Sequence, residues 1–412
     1  MIGRAGAAIA ALALAALGTG IASAQAEEGG LRPFQMVRSL QLVQDRIAGG
    51  DHAALPMQRK LLELVDGRFR DAQNEDFEDA RNFRALMIYA MSGGNPSTVA
   101  DILARIELKE TDREMGAAVL GYLLGDVAQA RKALGAIDPS AFPEELAAFL
   151  SLVKGSVLAA QDTRAGIALL DRARLLGPGT LVEEAALRRT VLLTASIGDT
   201  AKFMSAAEQY ARRFLRSPYS SQFAEAFVAG IIQLKERVST RDIEDTVVWM
   251  TPEQARTVYL RLARRAAIDG DEELLVFASR KAKEYPASGD GTDPRSELYD
   301  SISSVTSETV DDVLVRLRQL DSANFSATDR ALLNAAKAVA TEVVAPVGPL
   351  PVLPPQEEQV ETISPPAEQN ETVSPSVETA VAGQDAGIDD ELITSARSKL
   401  EAIDKMLEEN AR

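Results

Sequence analysis

For most of its length this chain places apolar residues three and four positions apart, in short runs separated by turn residues. That period is helical. Pro33 opens the first run, at a first-turn position where proline is tolerated. Met36, Val37, Leu40, Val43 and Ile47 follow as one apolar stripe. Gly49 and Gly50 end that helix. Asp51 is placed to cap the next, which carries Leu61, Leu62, Leu64 and Val65. A third helix is expected from Phe77 to Met91, closed by the run from Ser92 to Pro96. Beyond it, Asp138-Pro139, Gly177-Pro178-Gly179, Ser217-Pro218, Thr251-Pro252 and Tyr285-Pro286 mark breaks. No convincing stretch alternates with period two, so the pattern predicts almost no sheet.

The helices also repeat. Gly125-Asp126, Gln161-Asp162, Gly198-Asp199 and Gly270-Asp271 are turn dipeptides whose aspartates are 36, 37 and 72 residues apart. The long last gap leaves room for one more unit, its turn disguised near Lys235 to Arg241. Seven residues past each aspartate stand Ala133, Leu169, Ala206 and Ala278; eleven past stand Ile137, Ala173, Tyr210 and Ala282. These spacings share one helical face. A hairpin of helices with small residues at its crossings is the unit of a tetratricopeptide-like solenoid. The expected fold is therefore all-α, a helical-hairpin repeat domain over residues 30–341.

After Thr341 the composition changes. Residues 342–388 hold eight prolines and many glutamates but no lysine or arginine, and Glu361–Pro365 is echoed by Glu371–Pro375. Such a segment cannot bury a core, which predicts a disordered acidic linker with a mean reach of roughly 35–40 Å. Residues 389–412 again read as an amphipathic helix. Leu392, Ala396, Leu400, Ile403 and Leu407 form its apolar stripe and are the candidate partner-binding residues. A short tethered helix is marginal alone. It either caps the repeats or hooks a partner in helix-in-groove fashion, and a tether this long favours the hook.

The first residues change the compartment. Arg4, the apolar run Ala7–Leu17 and the small-x-small site Ala22-Ser23-Ala24 read as a secretory signal peptide over residues 1–24. Export to the periplasm is the expectation, with no membrane span in the mature chain. The chain has no cysteine, so an exported fold must stand on its core alone. Its net charge of −17 disfavours nucleic acid as a partner.

Candidate chemistry is sparse. With one histidine, His52, and no cysteine, the chain offers no convergent metal-ligand set. A serine triad would have to use His52, and no Gly-x-Ser-x-Gly elbow presents a serine. No Gly-rich phosphate loop with its lysine is present. Asp76, Glu78 and Asp79 cluster, but read as the solvated face of a helix. The glutamate signatures of lytic transglycosylases are missing, so no catalytic residue, cofactor or metal is assigned. Arg172 with Arg174, Arg212-Arg213 with Arg216, and Arg280-Lys281 with Lys283 read as cations complementing last helical turns, or else as a basic strip for an acidic partner. Trp249 reads as a buried anchor between repeats.

Three stretches, Pro33–His52, Met57–Leu62 and Ala85–Pro96, together resemble the MotC family of periplasmic motility proteins of rhizobia and related alphaproteobacteria. The resemblance implies a periplasmic protein required for flagellar rotation and associated with the periplasmic domain of the stator protein MotB. It carries no catalytic residue with it. A general periplasmic helical-repeat adaptor for cell-envelope assembly is the alternative.

Overall fold

The computed structural model describes residues 31–285, 293–304 and 310–344. The signal segment, most of the acidic linker and the C-terminal stripe from Leu392 to Leu407 lie outside the described residues. Among those described there are seventeen α-helices, three short 3₁₀ turns and no strand.

Two N-terminal pairs come first: α1 (Pro33–Ala48) with α2 (Ala54–Asp71), and α3 (Ala80–Met91) with α4 (Pro96–Arg105). Five hairpins follow: α5 (Glu110–Leu123) with α6 (Val127–Ala136), α7 (Glu144–Leu158) with α8 (Thr163–Leu176), α9 (Leu181–Ser196) with α10 (Thr200–Phe214), α11 (Ser220–Gln233) with α12 (Thr240–Val247), and α13 (Pro252–Asp269) with α14 (Glu272–Glu284). Helices α15 (Pro294–Ser303), α16 (Val310–Gln319) and α17 (Ala327–Val344) complete the described array.

The turn aspartates do what their spacing predicts. Asp126, Asp162, Asp199 and Asp271 are the N-caps of α6, α8, α10 and α14, and each accepts a hydrogen bond from the backbone N–H three residues on. This satisfies a donor that the first helical turn leaves orphaned. The disguised turn lies between α11 and α12, where Ser239 and Asp242 form a reciprocal capping box instead. Three of the preceding glycines, Gly125, Gly198 and Gly270, sit at φ near +70 to +77°, the left-handed turn that reverses the chain.

Burial refines the repeat register. The positions four, eight and eleven residues past each aspartate are the core face: Ala130, Leu134 and the C-cap Ile137 of α6, Phe203, Ala207 and Tyr210 on α10. The positions seven past border it: Ala206 and Ala278 are buried there, while Ala133 and Leu169 are half-buried. Small residues set the closest crossing. A Cβ on Gly166 of α8 would lie 2.7 Å from the Ala159 Cβ and 2.9 Å from the Gly155 carbonyl oxygen.

Two large apolar clusters result. One runs from Val37 to Val153 through α3, α5 and α6. The other runs from Leu187 to Ala340, and at its centre Tyr210 stacks on Phe223 at 4.1 Å. Ala48, at the end of α1, belongs to the second cluster and not the first. The N-terminal hairpin therefore folds back onto the middle of the array.

Three local expectations are corrected. The third helix begins at Ala80; Asn74–Glu78 is a separate 3₁₀ turn because Asp79 caps α3 through the Arg81 N–H. Asp51 does not cap α2, since its carboxylate is held by Arg46 at 3.0 Å. Leu64 is 49% exposed, because α2 buries Ala54, Val65, Asp66 and Phe69 instead.

Candidate functional site

The return of the N-terminal hairpin creates a walled hollow. Gly50 has φ of +100°, and a side chain there would strike the Cβ of Arg216, so glycine lets the α1–α2 turn seat on the turn between α10 and α11. Beside it the His52 Nε2–H donates to the Arg216 carbonyl oxygen at 2.9 Å, across 164 residues. Tyr219 packs against Val43, Ile47 and Ala54 on the same seam. The lone histidine is thus an exposed side chain that makes a long-range tie.

Asp45 makes the second tie. Thr180, the residue before α9, turns its hydroxyl to the Gly177 carbonyl and gives the helix no side-chain cap. The carboxylate of Asp45 accepts from the N–H of Leu181, the first residue of α9, at 3.3 Å. A helix on one side of the molecule is thereby capped from another, 136 residues away. Burial raises the Asp45 pKa above its ordinary value, and the Leu181 N–H opposes that shift in part.

Between α1, α7 and the start of α9 these ties enclose a cavity of about 630 Å³. Its walls mix apolar surface from Leu42, Phe149, Leu152 and Leu181 with Asp45, Gln41 and the buried Gln44. Arg38, Glu144 and Glu145 stand among its exposed lining residues. Leu42 is 58% exposed although it belongs to a well-formed helix. Apolar walls with a few convergent polar groups are the usual makeup of a binding hollow. The sequence reading missed this site. Its one local signal was Leu42, which stands off the apolar stripe of α1.

The remaining candidates fall elsewhere. Arg174 pairs with Asp171, Arg213 with Glu183 at 2.7 Å, Arg212 with Glu208, and Lys281 with Glu244 at 2.9 Å. These cations bind carboxylates of their own or the neighbouring helix and form no continuous strip. Trp249 is 48% exposed, its ring covered on one face by the Arg212 guanidinium at 4.6 Å, so it is not the buried anchor expected. Asp76 accepts from the Gln73 N–H, and Asp79 is held by Arg81, whose hydrogen bonds and charge lower its pKa to about 2. Glu78, with them, ends the 3₁₀ turn. Among the described residues no three metal-ligating side chains converge, and no helix is long and apolar enough to cross a membrane.

Fold and cavity together define an all-α helical-hairpin repeat protein with a walled hollow between α1, α7 and α9. Residues 2–412 match the family model described as chemotaxis protein MotC, and the chain belongs to that family. Chemotaxis protein MotC of Rhizobium meliloti (strain 1021) is 37% identical over 425 residues, an alignment that covers 97% of this chain and 97% of that relative. No solved structure matches. Membership makes this a protein of bacterial motility and chemotaxis.

Proposed function

We propose that this protein works in the periplasm, where it is needed for flagellar rotation and binds the periplasmic domain of the stator protein MotB. The family match over residues 2–412 carries the assignment to motility. The signal-like pattern of Arg4, Ala7–Leu17 and Ala22-Ser23-Ala24 supports export. The cavity between α1, α7 and α9 offers a place for a partner segment with an apolar side chain. The role is non-catalytic. By binding one of two stator conformations more tightly, the protein shifts the stator toward that state by no more than the difference in affinity. Such a shift stabilises the stator or gates its engagement, while proton passage belongs to the stator itself.

Deleting the gene tests this reading. The expected result is cells with intact filaments that do not rotate, an unchanged envelope, and rotation restored by the full chain in trans. Normal rotation, or a defect in cell shape and detergent resistance instead, would move the protein to envelope assembly.

A further inference from the structure

A second surface lies apart from the cavity at α1. Helices α11 and α13 are adjacent first helices of their hairpins, and a groove of about 820 Å³ runs along them. Val228 and Ile232 of α11 and Ile268 of α13 form its apolar surface, and Ile268 is 49% exposed. Arg261, Arg264 and Arg265 project from α13 into the same groove. Two of these cations are committed: Arg264 to Asp329 at 3.4 Å and Arg265 to Asp269 at 3.0 Å.

Arg261 is different. Its Nη1 is buried and has no hydrogen-bond partner. It also lies between the large groove and a second hollow of about 260 Å³ beside Ser220, Phe223 and Gln254. Glu225 stands in the groove as well, exposed, and makes no ion pair with Arg261. A buried guanidinium N–H without an acceptor is unfavourable in the free protein. A carboxylate matches it best, because the planar fork of arginine binds carboxylates through two parallel hydrogen bonds.

We propose that the α11–α13 groove is a docking surface for an acidic amphipathic segment of a partner protein, with the half-buried Arg261 turning its guanidinium outward to receive a carboxylate and Val228, Ile232 and Ile268 receiving the neighbouring apolar side chains. The apolar contact supplies area and the ion pair supplies orientation, the usual division in an interface anchored by arginine. The proposal uses no residue of the α1 cavity and is independent of the stator reading.

The test is fluorescence anisotropy on the full chain. The probe is a labelled helical peptide bearing leucine and glutamate at four-residue spacing, and the control has lysine in place of glutamate. The groove should bind the glutamate peptide in a saturable, salt-weakened manner and should not bind the lysine peptide. Arg261→Met keeps an unbranched apolar stem without the guanidinium. It should weaken binding about tenfold or more while leaving Tm unchanged or raised, since an unpartnered buried donor is gone. Arg261→Lys should restore part of the affinity. No binding by the full chain, equal binding of both peptides, or unchanged affinity in Arg261→Met would overturn the proposal. So would a synthetic peptide of residues 345–388 that displaces the probe with the same dependence on Arg261, because the occupant would then be the chain's own acidic segment.

Discussion

In the hairpins from α5 to α14, each second helix starts at an aspartate or serine that caps it within three residues, and its core face repeats at fixed offsets from that cap. The α1–α2 hairpin is held otherwise. Helix α2 starts at Ala53 with no side-chain cap, and the hairpin is fixed to the array by Asp45, Gly50, His52 and Tyr219, whose partners are distant in sequence. The first kind of element is stabilised by its neighbours along the chain, as in any stacked repeat. The second is a closure, and a hollow of about 630 Å³ forms where it closes. The contrast predicts that the two regions can be damaged separately.

The largest effect should come from the array. Phe223 is fully buried and stacks on both Tyr210 and Phe227. Phe223→Ala should cost about 4 kcal/mol and remove amide-exchange protection from α9 through α13. Urea denaturation and hydrogen exchange read both. Loss confined to α11 would show that the hairpins do not share one core.

Next is the closure. Gly50→Val places a branched side chain at positive φ against Arg216, at a cost of about 3 kcal/mol. Exchange should rise in α1, α2 and the first turn of α9, while α11 to α14 stay protected. Uniform loss of protection would contradict the separation of the two regions.

A smaller effect tests the repeat caps. Asp199→Ala removes the acceptor for the Lys202 N–H and should lower stability by about 1 kcal/mol. Asp162→Ala should behave alike, and the two should be additive, since they cap different helices.

The smallest effect is a matter of sign. The folded-state pKa of Asp45 is raised, so the folded chain holds a proton there that the unfolded chain has already released. Its contribution to stability is therefore greatest in acid and falls as pH rises through the folded pKa. Asp66 is the opposite case within the same N-terminal region. Burial would raise its pKa, but hydrogen bonds from Thr98, Tyr89 and Asn95 with the charge of Arg70 outweigh it and lower the pKa. Its contribution is present above the unfolded value and is lost as pH falls through the lowered one. Asp45→Asn keeps an acceptor for the Leu181 N–H and should flatten the first dependence only. Thermal unfolding from strong acid, below the ordinary carboxylate pKa, up to neutral pH compares the two slopes.

The array was legible in the sequence for a physical reason. A cap and the N–H it satisfies are three residues apart, and the core face begins four residues on, so Asp126, Asp162, Asp199 and Asp271 announce both. The missing turn was harder, because Ser239 caps in place of an aspartate and only the gap in the spacing betrayed it. The closure was not legible. Asp45 looks like a surface residue of α1 until Leu181 is beside it, and nothing local shows that the exposed His52 reaches the Arg216 carbonyl. The basic clusters were legible as last-turn cations, and Arg174, Arg212, Arg213, Lys281 and Lys283 stand there, but the sequence does not show the carboxylates, such as Glu183 for Arg213, that neutralise them from the neighbouring helix. Trp249 misled because large aromatics are usually buried, and here an arginine covers one face instead.

The central claim is that the cavity made by this closure is where the stator's periplasmic domain binds. The most direct measurement is a calorimetric titration of the full exported chain with the periplasmic domain of MotB, comparing the natural protein with Leu152→Glu, which puts a charge on the apolar wall. The account predicts saturable binding by the natural chain and at least a tenfold loss in the variant, with circular dichroism unchanged. Equal binding by the two, or none by the natural chain, would contradict it.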